Sequence, residues 1–287
     1  MRLAALGLVV LLAGCTGAEP QSSPTAEADS TGGKPQLAVT SSCYGECSYT
    51  SPLGLPDVAV YADGRVLSVD RTGTDSRPVL RTGQLDQSTL ARLQELAIAA
   101  GLTSGGRSTL ARDTSFADGG GSTFTVRLRS TLTTVEVPLL DPTAPDAEAY
   151  ADPARVTRMA ELGKALREAA ALADTDVTPS SYVVNARPAT ASAGVDPAAW
   201  PGPALAGLPQ VGDGLRCAIV TGAAKDAVAK AVDADGFGGR YTSAGRLWQV
   251  VGRALLPHEQ NCADVGETAG AATAAGPRFP GDSRPAA

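Results

Sequence analysis

Histidine and aromatic residues are scarce in this sequence. Among its 287 residues there is one histidine, His258, and aromatic residues make up 4%. A single histidine removes most Ser-His and Cys-His catalytic arrangements and most histidine metal sites from consideration, because each needs an imidazole beside its partner. A core must therefore be built mainly from Val, Leu and Ala.

The sequence also lacks an excess of positive charge. Lys and Arg number 24 against 30 Asp and Glu, which gives a net charge of −6. A nucleic-acid-binding protein would carry a basic patch, so no nucleic-acid partner is expected. Hydrophobic residues at 43% still allow a real core.

Motifs for catalysis, metals and cofactors are missing as well. There is no Gly-x-Ser-x-Gly elbow and no phosphate-binding Gly-x-x-x-x-Gly-Lys-Ser/Thr loop. His258, between Pro257 and Glu259, is interpreted as a surface bystander, and Asp113 and Asp118 as solvated loop acids. The sequence therefore predicts no catalytic residue, no metal site and no cofactor.

The first 15 residues indicate the compartment. A basic start at Arg2 is followed by an apolar run over residues 3–13. That run is too short to span a bilayer, which takes roughly 20 residues, and it is typical of a secretory signal peptide. It ends in Leu12-Ala13-Gly14-Cys15, which resembles a bacterial lipobox. The alternative is an ordinary signal peptide that happens to include Cys15.

The lipobox resemblance implies a membrane partner. In that family the leader, here residues 1–14, is removed, and Cys15 carries acyl chains such as palmitate. Residues 15–36, rich in Ser, Thr, Pro and Gly, are then a lipidated cysteine and a flexible tether. We expect the protein to be anchored to the outer face of the cell membrane.

The cysteine count fits this location. Without Cys15, four cysteines remain: Cys43, Cys47, Cys217 and Cys262. An even number outside the cytoplasm predicts two disulfides, and four cysteines allow three pairings. We favour Cys43–Cys47, which closes a tight loop, and Cys217–Cys262, which ties the end of the folded region to a strand. A zinc site and a redox-active pair are the alternatives, and their spacing fits less well.

Alternating and helical patterns predict an α+β fold with antiparallel hairpins and about three helices. The Asp63-Gly64 pair predicts a tight hairpin turn, and Asp86 and Asp152 are candidate helix N-caps. Residues 37–175 form an α+β domain, residues 176–262 a disulfide-stapled second α+β part, and residues 263–287 a disordered tail. Either two small subdomains meet near residue 175, or the second half completes the first sheet.

Two tryptophans are the weak candidates for a binding surface. Trp200 and Trp248 are the only Trp residues in an aromatic-poor chain, so each is either core or a ligand platform. The segment 240–248 mixes aromatic residues and arginine as binding surfaces do. Glycines also flank residues 107–118, which predicts a surface loop.

Several of these motifs are similar to those of one group of proteins. The hairpin residues 60–66, the helix over 85–101, Trp200-Pro201 and the segment 253–259 resemble uncharacterised secreted lipoproteins of high-GC Gram-positive bacteria. The resemblance implies a location in the cell envelope, but it does not imply a particular activity.

The leading hypothesis is therefore an extracytoplasmic lipoprotein that acts as a binding or envelope-interaction module, without catalysis. Its partner would be a protein or another envelope component. The alternatives are a cell-wall polymer hydrolase that uses Asp and Glu, and a structural spacer with no ligand.

Overall fold

The computed structural model describes residues 37–44, 55–70, 79–112, 120–128, 131–143, 145–190, 196–212, 214–234 and 239–268. Side chains are described for these residues except 37–44, 233–234 and 266–268. The predicted leader, Cys15, the tether, Cys47 and the loop acids Asp113 and Asp118 lie outside the described residues.

The first half of the chain forms an eight-stranded sheet. Its strands are β1 (Leu37–Tyr44), β2 (Val58–Tyr61), β3 (Arg65–Asp70), β4 (Val79–Gln84), β5 (Gly106–Thr109), β6 (Gly121–Leu128), β7 (Thr131–Pro138) and β8 (Thr175–Asp176). The order across the sheet is β5-β7-β6-β1-β2-β3-β4-β8. All neighbours are antiparallel except β5 and β7, which run parallel.

Two helices cover one face of this sheet, α1 (Gln87–Ala99) and α2 (Pro153–Ala170). Both N-cap predictions are confirmed. The Asp86 carboxylate accepts a hydrogen bond from Thr89 N at 2.7 Å, and the Asp152 carboxylate accepts one from Arg155 N at 2.9 Å. Because these bonds satisfy free N–H groups at the helix starts, they fix where each helix begins.

The helices bury their apolar stripes against alternate strand residues. Phe124 and Val126 on β6 are buried in the same cluster as Leu93 of α1 and Met159 of α2. The end of α2 lies very close to β4, since a Cβ on Gly83 would come 2.2 Å from the Leu172 carbonyl oxygen. This contact requires a glycine in the strand.

The second half forms its own five-stranded sheet and does not complete the first. Its strands are β9 (Tyr182–Pro188), β10 (Ala198–Ala199), β11 (Arg216–Val220), β12 (Gly239–Ser243) and β13 (Arg246–Ala254), in the order β10-β12-β13-β9-β11. Helix α3 (Ala224–Ala234) covers one face, and α4 (Cys262–Thr268) contacts β11. Both sheets belong to one compact unit.

The α+β class is thus confirmed, while two local predictions need correction. Helix α4 occupies residues 262–268, where the sequence predicts the start of a disordered tail. Asn261 and Asp264 accept the backbone hydrogen bonds at its beginning, a capping signal that composition alone hides. In the first hairpin only Gly64 has positive φ, at 84°, so the turn has three residues instead of the two-residue type predicted.

No helix among the described residues has both the length and the apolar character needed to cross a membrane.

Candidate functional site

The two tryptophans lie in one cluster on the second sheet. Trp248 on β13 stands opposite Tyr241 on β12, and the Trp200 ring meets the Tyr241 ring edge-on with centroids 5.1 Å apart. Trp200 is 8% exposed and Trp248 is 1% exposed, so neither forms an open platform. Of the two readings left by the sequence, burial in the core describes both residues in this conformation.

The two indoles differ in their hydrogen bonding. Trp200 Nε1 donates to the Pro203 carbonyl oxygen at 3.0 Å. Trp248 Nε1 is buried, and no group among the described residues accepts a hydrogen bond from it. A buried donor that lacks a partner is uncommon in folded proteins. Asn185 Oδ1 and the Nε atoms of Arg81, Arg112 and Arg158 are also without a described partner, and among these five atoms only Trp248 Nε1 belongs to an aromatic ring.

Two arginines flank the Trp248 indole. The guanidinium carbon of Arg246 lies 5.6 Å from the ring centroid, and that of Arg216 lies 6.0 Å from it. Arg246 is exposed and Arg216 is half-buried. Within the described part of the chain, neither arginine forms an ion pair.

Strand geometry explains how the arginines reach the ring. Arg246 and Trp248 are two residues apart on β13, so their side chains leave the same face of the sheet. Arg216 begins the edge strand β11, and its partner across the ladder is Ala186 of β9, the strand between β11 and β13. Because the Ala186 side chain is small, the long Arg216 side chain has room to extend toward the indole.

Local bonds hold this end of the sheet in place. Arg216 Nη1 donates to the Leu208 carbonyl oxygen at 2.6 Å, and Leu205 N donates to Ser243 Oγ at 3.1 Å. The turn between β12 and β13 has positive φ at Ala244 and Gly245, 53° and 72°. We call Trp248, Arg216 and Arg246 the Trp248 site. It offers two guanidinium groups that form no ion pair with the described residues and one N–H donor that has no described acceptor.

A second polar cluster lies where the chain leaves β13. Arg253 and Glu259 form a two-pronged ion pair, with N–O distances of 2.6 and 2.7 Å, and their side chains are 2% and 0% exposed. Leu256 N donates to the same carboxylate at 2.8 Å. Burial raises the Glu259 pKa, but the Arg253 charge and these hydrogen bonds outweigh it, and the pKa is lowered.

His258 joins this cluster to the first sheet. Its Nδ1 lies 3.0 Å from the hydroxyl oxygen of Tyr61 on β2. Burial lowers the His258 pKa, since the Glu259 charge that favours protonation does not compensate for the lost solvation. Burial raises the pKa of the Tyr61 hydroxyl, so the phenol is neutral.

The predicted surface position of His258 is therefore wrong, because the residue is half-buried, while its interpretation as a non-catalytic residue stays a prediction. The residue packs against a fully buried tyrosine that is 197 positions away in sequence. No local pattern pairs two residues at that separation. The one available signal is the Arg253 to Glu259 segment, whose opposite charges sit among the apolar residues Ala254, Leu255 and Leu256.

The structure contains one of the two favoured disulfides. Cys217 of β11 is bonded to Cys262 at the start of α4, with Cα atoms 6.2 Å apart. Cys43 lies in the backbone of β1 without a described side chain, and Cys47 is outside the described residues. The pairing of Cys43 with Cys47 stays a prediction.

Asp63 has the turn role that the sequence predicts. Its carboxylate accepts hydrogen bonds from Arg65 N at 3.0 Å and from the Arg65 guanidinium at 2.9 Å. Partial burial raises the Asp63 pKa, but the bonds and charge of Arg65 outweigh this, so the pKa is lowered. Among the described residues, no group of three or more His, Cys, Asp or Glu is placed to hold a metal ion.

No protein-family model matches this sequence, and no curated protein sequence is significantly similar to it.

Proposed function

We propose that this protein is an extracytoplasmic lipoprotein, anchored through acyl chains on Cys15 to the outer face of the cell membrane. The basic start, the short apolar run and Leu12-Ala13-Gly14-Cys15 support the anchor. The Cys217–Cys262 disulfide supports an oxidising location, because such bonds persist mainly outside the cytoplasm.

We further propose that the folded part is a binding module for a component of the cell envelope. The observation that carries this proposal is the Trp248 site, where two arginines flank one buried indole without any acidic partner in the described chain. Arginine beside aromatic residues is enriched at recognition surfaces.

The alternative of a polymer hydrolase needs a carboxyl group with a raised pKa to act as the acid. Among the described carboxyl groups, Asp63, Asp86 and Glu259 have lowered pKa values, the opposite of what that acid needs. The Trp248 site favours the binding module over this alternative.

One pair of strains tests the anchor. Cells that express the full chain or its Cys15→Ser variant are grown with a fatty-acid analogue. We expect the full chain to be labelled and the variant to be unlabelled, because the thiol that accepts the lipid is gone. A Cys43→Ser variant, which keeps Cys15, should label normally. Labelling that persists in Cys15→Ser would refute the anchor.

The unacylated Cys15→Ser protein then tests binding. It is mixed with envelope fragments of the producing bacterium, and sedimentation measures the bound fraction. Arg246→Glu should reduce binding, because it reverses one charge of the Trp248 site. Arg92→Glu, which changes an equally exposed arginine on α1, is the matched control. Equal binding by all three proteins would reject the Trp248 site as the binding surface.

A further inference from the structure

The Trp248 indole nitrogen is a hydrogen-bond donor that has no acceptor among the described residues. The nitrogen is buried, and no described group accepts its proton. An unsatisfied buried donor is costly, so a bound acceptor would stabilise the folded protein. Trp200 has no such deficit, because its nitrogen already donates to Pro203.

The two guanidinium groups make an anionic acceptor the best match. An arginine that packs over an aromatic face keeps its N–H groups at the edge of its plane, where they bind carboxylate or phosphate in pairs. Arg216 and Arg246 lie on one indole, at 6.0 and 5.6 Å from its centroid. Only one bond from these groups to another part of the described chain is present, from Arg216 to the Leu208 carbonyl oxygen.

We propose that Trp248, Arg216 and Arg246 bind an anionic oxygen group, a carboxylate or phosphate, of an envelope ligand. This inference rests on the proposed binding function and names the chemistry that the site recognises. Arg246 is the exposed member, and it covers a nearly inaccessible indole. The N–H groups at the edge of its guanidinium form an ion pair with the anion while the stacking on the ring is kept. The anion then accepts from the indole N–H.

Because the chain has only two tryptophans, nuclear magnetic resonance can observe the Trp248 indole N–H signal separately. The nitrogen-15-labelled Cys15→Ser protein gives two indole N–H signals, which Trp200→Phe assigns. Titration with inorganic phosphate, and separately with acetate, should shift the Trp248 signal downfield until it saturates with at least one anion. The Trp200 signal should stay in place.

Three arginine variants connect the shift to the site. Arg246→Gln and Arg216→Gln should each weaken anion binding about tenfold or more, because each removes a charged hydrogen-bond donor. Arg92→Gln should bind as the parent does. Since Arg216 also bonds to the backbone, thermal unfolding is compared for every variant. If Arg216→Gln is unstable, the conclusion rests on the variant of the exposed Arg246 alone.

Two results would overturn the proposal: a Trp248 signal that neither anion shifts, or an Arg246→Gln variant whose Trp248 signal responds as strongly as that of the parent.

A second experiment, with vesicles of phosphatidylglycerol or phosphatidylcholine, distinguishes the possible sources of the anion. Arg246-dependent binding to the anionic vesicles assigns the group to a lipid headgroup, and a phosphate response without vesicle binding assigns it to a free ligand. If the Cys15→Ser protein does not bind envelope fragments but its Trp248 signal still responds to an anion, the binding function alone is refuted. If it binds envelope fragments but its Trp248 signal responds to neither anion, the anion site alone is refuted.

Discussion

His258 and Glu259 show how neighbouring residues take different roles from their surroundings. Glu259 is charged because Arg253 and a backbone N–H hold its carboxylate. His258 is held neutral because burial penalises its charge. The neutral imidazole can either accept a hydrogen bond from the Tyr61 hydroxyl at Nδ1 or donate one to it, depending on the tautomer, whereas the protonated ring can only donate. The charged groups that act on this ring are Glu259, Arg253, Arg127 and Asp264.

Lowering the pH should therefore decrease the free energy of unfolding in two steps. Both pKa values are lowered in the folded state, so the unfolded chain binds protons more readily and stability falls as pH falls. The His258 contribution is complete above its ordinary pKa of 6.5 and is lost below it, and the Glu259 contribution is lost below its ordinary pKa of 4.5.

Urea unfolding at about pH 7 and about pH 5 tests the first step. We expect the free energy of unfolding to fall less between these pH values in His258→Asn than in the wild type, because Asn offers Tyr61 an acceptor that does not titrate. An equal fall in both proteins would show that His258 does not cause this step.

At the scale of elements, strand β4 and the end of α2 meet without space for a side chain. The Leu172 carbonyl oxygen occupies the position that a Cβ on Gly83 would need. The backbones therefore approach as closely as they can, and the glycine is a packing requirement.

Gly83→Ala should destabilise the fold by about 1–3 kcal/mol, the usual cost of overpacking. Gly207→Ala is the matched control, since a Cβ there meets nothing within 4 Å and φ is not positive. Thermal and urea unfolding of the two variants measure the difference. Equal stability would mean that the helix end moves away at no cost.

Elements with local signals are the ones that the sequence predicts well. Helices α1 and α2 have an aspartate cap and an apolar stripe, and both are found close to their predicted positions. Strand β5 is not predicted, because Gly106, Arg107, Ser108 and Thr109 are all exposed and carry no apolar alternation. Its place depends on pairing with β7, which no local rule encodes.

At the scale of the whole molecule, contacts between distant residues decide the candidate sites. The sequence singles out Trp248 but not Arg216, which is 32 positions earlier in the chain and reaches the ring across a neighbouring strand. The Tyr61–His258 contact connects the two sheets, and Leu256 is buried beside Ala59 and Leu67. Such neighbours depend on how the sheets pack, which periodicity does not report.

The Cys217–Cys262 bond should contribute about 4 kcal/mol, because it closes a loop with a sequence separation of 45 in the unfolded chain. Cys217→Ser with Cys262→Ser should lower the urea midpoint by a corresponding amount. Reductant should lower the wild-type midpoint more than that of the double variant, in which only the predicted Cys43–Cys47 pair is left to reduce. A double variant as stable as the wild type would show that the bond adds nothing to this fold.

The same bond affects how the protein responds to proteolysis. Helix α3 and strands β12 and β13 all lie between Cys217 and Cys262. A single peptide cleavage anywhere in that interval leaves the two pieces covalently joined, so a nicked molecule keeps its C-terminal helix. Nicked and intact chains would run together in a gel without reductant and separate only after the sulfur–sulfur bond is opened.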